Sequence, residues 1–244
     1  FSHYDWVPDR LLTRPYSISD IFGQMYLKTE GLYSSAIGAS VTFIFLFILF
    51  GAFLAKSGMG KLFNDLAMAL AGHKQGGPAK VAVISSGFMG SINGTAVANV
   101  VGTGSFTIPL MKKIGYHKNF AGAVEASASV GGQILPPVMG ASAFIMAETT
   151  GVSYGTIALA ATLPALLYYL GVMAQVHFRA GKDNLKGVPK ADLPRVKDVL
   201  KERGHLLIPI VALVFFLFQS IPVSYAAVYS TASSLKIRSG KCCS

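Results

Sequence analysis

The chain has 244 residues, of which 52% are hydrophobic and 13% charged, and it carries a net charge of +10; its mean hydropathy is +0.52. Soluble domains carry roughly 25% charged residues, so this composition excludes an ordinary soluble domain and points to a polytopic membrane protein. The 21 basic residues lie in segments between apolar runs, which is the pattern of membrane loops rather than of a basic nucleic-acid surface, and no nucleic-acid partner is expected.

Residues 1–30 set Arg10, Arg14 and Lys28 against Asp5, Asp9, Asp20 and Glu30. They read as an extramembrane lead-in with a short interfacial helix over 18–26. The start has neither a basic n-region nor an apolar h-region, so it is not a signal peptide, and the chain is expected to begin inside a longer protein. Residues 31–55 carry no charge, and about 25 residues suffice to span with some tilt. Residues 56–80 hold four lysines and one aspartate. The positive-inside bias makes that loop cytoplasmic and the lead-in external, and the run GHKQGGP at 72–78 ends any helix before it.

The uncharged run 81–111 decides the topology. As one helix it would be roughly 45 Å long, well beyond the ~30 Å hydrocarbon core. It would also place Lys112, Lys113 and Lys118 on the side opposite Lys80, against the charge bias. Folding back at Ser91 to Thr95 gives a re-entrant hairpin with two unequal limbs and both ends cytoplasmic. Residues 120–147 then cross outward as a broken helix, 155–178 cross back with a kink expected at Pro164, and 179–204 form a cytoplasmic linker with eight basic and four acidic residues. Within that linker, 196–203 read as a surface helix. A last crossing covers 205–223, and 224–244 is an atypical tail whose Cys242 and Cys243 receive no role.

Two interruptions stand out in the apolar chain: GSINGTAVAN at 90–99 and SASVGGQILPPVMG at 127–140. Freed backbone survives in a bilayer where it lines a protein-enclosed or watery cavity. At the first, Ser91, Asn93 and Thr95 offer side-chain oxygens where two helix ends meet. Carbonyl ends suit Na⁺ and amide ends suit a carboxylate, and Asn93 can face either ligand. Close packing of a Gly-rich helix is the plainer alternative. At the second, Pro136 and Pro137 remove two donors and are expected to free carbonyls around Gly132 and Gln133 beside Ser127 and Ser129; a simple proline kink is the alternative. Glu125 has two readings, an intramembrane functional acid or an interfacial carboxylate paired with Lys112, Lys113 or Lys118. His73, His117, His177 and His205 fall near the predicted membrane edges, and no spacing fits a zinc site, a P-loop or a dinucleotide fingerprint. No nucleophile and base stand together, so no enzymatic activity is expected.

The runs LFGAFLAKSGMGKLFNDLA, GGPAKVAVISSGFMGSINGTAVANVVGTGSFTIPLMKKIGY and FAGAVEASASVGGQILPPVMGASAFIMAE resemble the large permease of tripartite ATP-independent periplasmic (TRAP) transporters, especially the fused TAXI type, over 16–218. The resemblance implies a secondary transporter of a bacterial inner membrane, driven by Na⁺ and fed by a periplasmic substrate-binding protein. It also implies an elevator mechanism and small organic acids as substrates. By the resemblance, Ser91, Asn93, Gly94 and Thr95 match the first hairpin motif, where Na⁺ is expected, and Gly131, Gly132, Pro136 and Pro137 match the broken helix that closes it. Many relatives have a Ser-Gly-Ser-Ser type tip where this chain reads Ser91, Ile92, Asn93, Gly94 and Thr95. The family permease has two inverted repeats and this chain contains one, so the second repeat and the small-subunit region are expected partners, and the chain is not expected to transport alone.

The expected fold is therefore an all-α polytopic membrane protein with a re-entrant helical hairpin and a broken helix, one repeat of an elevator fold. Residue chemistry and resemblance together give Ser91, Asn93, Gly94, Gly131 and Gly132 as Na⁺ ligands. Asn93, Thr95, Ser127, Ser129, Pro136 and Pro137 are the expected substrate residues. A passive pore with a re-entrant loop, conducting without ion coupling, is the alternative function.

Overall fold

Ser17 opens the described chain by capping a short helix. Its hydroxyl accepts from the Asp20 amide at 3.3 Å while the Asp20 carboxylate accepts from the Ser17 amide at 3.1 Å, satisfying two amides that a helix start leaves free. The computed structural model describes residues 16–29, 31–34, 37, 38, 40–183, 185, 187–189, 193–218, 225 and 229; most of the expected tail 224–244 and most of the lead-in lie outside it. Among the described residues all regular structure is helical.

Helix α1 covers Ile18–Phe22 and continues as a wider turn over Gly23–Leu27, within the expected interfacial segment. A second wide turn, Ser40–Ile44, leads into α2, Phe45–Lys56. Gly58 takes φ +90°, a conformation glycine adopts without a Cβ penalty. There the chain bends by 67° into α3, Met59–Ala71. Helix α4 spans Gly77–Asn93 and α5 spans Ala96–Ile114, and the two pack against each other as a hairpin. Helix α6 covers Lys118–Gly131, α7 Ala141–Thr150 and α8 Tyr154–Lys182, which runs through Pro164 without interruption. Helix α9, Val196–Arg203, packs on α3, and a single turn, Gly204–Leu207, leads into α10, Ile208–Phe218.

The hairpin limbs differ from expectation. They have 17 and 19 residues, about 25 and 28 Å by helical rise, so they are nearly equal. The first limb begins at Gly77, not at residue 81, because Gly76 at φ +68° turns the chain and Pro78 occupies a first-turn position, where its missing N–H costs nothing. Lys80 is thereby inside the helix.

Helices α4, α5 and α6 pack mutually, with α8 laid across α4 and α6. Ser86, Asn99, Thr103, Thr107, Glu125 and Ser129 are all buried at 5% exposure or less, whereas Val97, Val101, Phe106, Leu159, Leu163, Leu167, Leu170 and Phe178 are more than half exposed. Polar groups inside and large apolar side chains outside reverse the order that water imposes and match a lipid surround. Among the described residues one helix, Tyr154–Lys182, is long and apolar enough to cross a membrane by itself, and the bent pair α2 and α3 passes the same test together. A second, apolar core holds Phe47, Phe50, Leu54, Met59, Leu62, Ile92, Met139 and Phe144, and it presses α2 and α3 against the tip of the hairpin.

Candidate ion and substrate site

The hairpin turns at two residues. Asn93 ends α4, Gly94 takes φ +65° with its amide donating to the Gly90 carbonyl at 3.0 Å, and Thr95 is extended at φ −125° before α5 starts. The irregular run 132–140 between α6 and α7 meets this tip directly. The Val138 amide donates to the Ser91 carbonyl at 3.0 Å, and a Cβ on Gly94 would stand 2.4 Å from the Met139 carbonyl oxygen. One turn earlier, α4 and the end of α6 touch backbone to backbone: a Cβ on Gly132 would lie 2.5 Å from the Gly90 Cα. Glycine is required at both ends of this contact because any side chain would part the helices.

A small cleft of about 40 Å³ lies at the tip, lined by Asn93, Gly94 and Thr95 on one side, by Val138, Met139, Ala141 and Phe144 on another, and by Ile44, Phe47 and Ile48 of α2 and the turn before it. That is room for an ion with a water or two and far below the 300–1,000 Å³ of ordinary small-molecule pockets. Its polar lining is confined to Asn93, Gly94 and Thr95, which carry an amide, a hydroxyl and backbone carbonyls. Oxygen donors of that kind suit a hard monovalent cation, and Thr95, the residue before α5, lines the same cleft. Among the described residues no group of three or more His, Cys, Asp or Glu gathers as a transition-metal set would.

The remaining expected site residues are dispersed. Ser91 is nearly buried, and its hydroxyl donates back to the Phe88 carbonyl at 2.9 Å, so it meets the break through its carbonyl alone. The Gly131 and Gly132 carbonyls accept from the amides of Ile134 and Leu135 at 3.2 and 3.3 Å, and the Gln133 carbonyl accepts from Gly140 at 2.7 Å. The break thus consumes most of the carbonyls that its prolines free. Ser127 is exposed, its carbonyl accepting from the Tyr168 hydroxyl at 2.9 Å. Ser129 is fully buried in the bundle, away from the tip cleft. Pro136 and Pro137 line a different cavity of about 190 Å³ with Tyr154, Ala158, Leu159, Val214 and Leu217, which is apolar. The Tyr154 hydroxyl donates to the Pro137 carbonyl at 3.0 Å and to that of Val138, pinning the break to α8.

Glu125 corrects one expectation. It has no exposed surface and pairs with no lysine; Ser86, Thr103 and Thr107 place their hydroxyls on its two carboxylate oxygens, with Ser129 at 3.5 Å. The Asn99 amide nitrogen closes this cage by donating to the Ser86 carbonyl at 2.8 Å and to the Ser129 hydroxyl at 3.2 Å. Residue-by-residue reading passed over the cage, although a signal existed: Asn99, Thr103 and Thr107 recur every four residues, as do Glu125 and Ser129, which puts each set on one helical face.

An apolar exterior around a hydroxyl-and-carboxylate interior, closed by a hairpin tip seated on a broken helix, defines a helical membrane protein. The comparisons give its family. The model of the "Tripartite ATP-independent periplasmic transporter, DctM component" matches residues 11–241, and the chain belongs to that family of TRAP transporter large permeases. It is 28% identical over 177 residues to a 2,3-diketo-L-gulonate TRAP transporter large permease of Escherichia coli, covering 72% of this chain and 41% of the relative. It is 28% identical over 186 residues to the sialic acid TRAP transporter large permease of Vibrio cholerae, covering 75% and 43%. A C4-dicarboxylate TRAP transporter large permease of Pseudomonas aeruginosa is 30% identical over 147 residues, covering 60% and 34%. The chain thus matches less than half the length of each of these permeases, and these relatives are transporters rather than enzymes.

Proposed function

We propose that this chain is the hairpin-bearing part of a Na⁺-coupled secondary transporter that moves small organic acids received from a periplasmic substrate-binding protein. The observation that carries the reading is the seating of the tip on the break: the Val138 amide on the Ser91 carbonyl, with Asn93 and Thr95 lining the cleft beside it. Sodium would bind between the tip carbonyls and Asn93 and draw the hairpin onto the broken helix. A carboxylate substrate would meet the amides that open α5. The cleft is far too small for an organic acid, so the rest of that site is assigned to the remainder of the permease, its second repeat and small-subunit region. The chain by itself is accordingly not a transporter, and the elevator movement belongs to the whole assembly. Its relatives' names, with a keto sugar acid, a sialic acid and C4-dicarboxylates among them, support an organic acid as cargo. The fused TAXI type remains part of this proposal.

Sodium binding is tested by thermal unfolding of the purified chain in detergent, in NaCl against choline chloride at equal ionic strength. The expected result is a melting temperature that climbs with sodium as a bound ligand requires and an Asn93→Ala variant without that response. Identical melting in both salts would sink the sodium reading. The re-entrant topology is tested by labelling single cysteines at Lys74 and Lys113, both exposed. Both are expected to react from the cytoplasmic face, and reaction from opposite faces would overturn the hairpin's placement in the membrane. Lys80 is unsuited to this test because it is 8% exposed.

A further inference from the structure

Glu125 lies outside the tip cleft and is used by nothing in the sodium reading. It is 0% exposed, and among the described residues the elements packed against it bring no cation to it. On α4, Lys80 lies six residues before Ser86, about 9 Å along the helix, and bonds to His177 at 3.0 Å. On α5, Lys112 and Lys113 are exposed at the far end, as is Lys118 at the start of α6 itself. From α8, the Tyr168 and Tyr169 hydroxyls donate to the Ser127 and Ala128 carbonyls at 2.9 and 2.8 Å. A buried carboxylate without a positive partner is costly, and a proton supplied from outside would neutralise it.

The cage has the spacing of a hydrogen-bond network. The Ser86 and Thr103 hydroxyl oxygens stand 2.8 Å apart, a hydrogen-bond spacing, and both already touch Glu125. The threonines have a second place to send their single hydroxyl protons. The Thr107 hydroxyl is 3.1 Å from the Thr103 carbonyl, and the Thr103 hydroxyl is 2.8 Å from the Asn99 carbonyl. With Glu125 ionised, the Thr107 hydroxyl points at Oε2. With Glu125 protonated, the acid's own O–H donates to Thr107 Oγ1, and the Thr107 proton turns to the Thr103 carbonyl. Hydroxyl rotation therefore satisfies either state without leaving an orphan donor.

We propose that Glu125 is a reversible proton-binding site in the core of the hairpin bundle. One proton adds to Oε2 from water when α4 and α5 part from α6, and it returns to water the same way. While the bundle is packed, the proton is sealed in. This site stands independently of sodium at the tip. That the proton moves with the bundle during transport is the one part resting on the transport reading.

The test is infrared difference spectroscopy of the chain in lipid nanodiscs across a pH titration at fixed sodium. The expected result is one protonated-carboxyl C=O band that vanishes toward alkaline pH and is missing from Glu125→Gln. Thr107→Val keeps the side chain's shape and removes the rotor. It is expected to tighten proton binding by about tenfold, because the ionised form loses a stronger hydrogen bond than the neutral form does. Identical wild-type and Glu125→Gln spectra would overturn the proposal, as would a band displaced by sodium at constant pH or, should Glu125→Gln not fold, an unmoved midpoint in Thr107→Val. None of these readouts depends on the sodium melting experiment, so the two readings fail separately.

Discussion

The Val138 amide donates to the Ser91 carbonyl at 3.0 Å, and this bond joins the two interruptions of an otherwise apolar chain. Each interruption alone leaves backbone groups unpaired. Together they pair some of those groups with each other, which is what irregular backbone enclosed in a membrane protein requires.

Gly94 is where that joint is most sensitive. Its φ of +65° disfavours any side chain, and a Cβ there would stand 2.4 Å from the Met139 carbonyl oxygen. Gly94→Ala is expected to cost about 2 kcal/mol in thermal or denaturant unfolding. Gly102, inside α5 with nothing within 4 Å of its would-be Cβ, is the control: Gly102→Ala is expected to stabilise by about 0.5–1 kcal/mol. Equal effects at the two sites would mean that the tip does not seat on the break.

Lys80 and His177 tie the base of the hairpin to α8, with the ammonium nitrogen 3.0 Å from Nδ1. An ammonium is a donor only, so Nδ1 accepts. His177→Ala leaves the largely enclosed ammonium without this acceptor and is expected to cost about 1–3 kcal/mol. Lys80→Met, which removes the charge and keeps the stem, is expected to be close to neutral. The double variant should then melt with Lys80→Met rather than lower, which distinguishes a paired charge from two independent contacts.

Asp65 on α3, in the segment 56–80 expected to be cytoplasmic, gives a pH dependence. Burial pushes its carboxyl above the ordinary carboxylate range, against the pull of Arg203 and Lys61. A group whose folded-state pKa is raised favours the folded chain most while it is protonated, and that advantage is lost as pH rises through its titration. Asp65→Asn is therefore expected to raise the melting temperature slightly at neutral pH, with the gain shrinking as pH falls through the raised titration toward the ordinary carboxylate value. A gain that persists unchanged at acid pH would point to a cause other than charge burial.

Much of this architecture is legible in the residues. The length of the uncharged run against bilayer thickness, and the lysines at both its ends, require a fold-back, and the turn falls at Gly94 and Thr95 within the expected stretch. The limb lengths were not legible, because the helix start at Gly77 depends on Gly76 adopting a left-handed conformation and on Pro78 falling in the first turn. The carbonyls of Gly132 and Gln133, expected to be free, are taken by the amides of Leu135 and Gly140, which reach them only through the particular path of the break.

Composition, charge placement and the two interruptions determined by themselves that this is a helical membrane chain with a hairpin and a broken helix, since those features follow from local propensity and the demands of a bilayer. Partnerships between segments were decided only by the tertiary structure. Ser91 and Val138 are far apart along the chain, as are Glu125 and the hydroxyls of Ser86, Thr103 and Thr107. Helical periodicity fixes which side chains share a face, but which faces meet depends on glycine contacts such as Gly90 against Gly132, and those set the distance between helices.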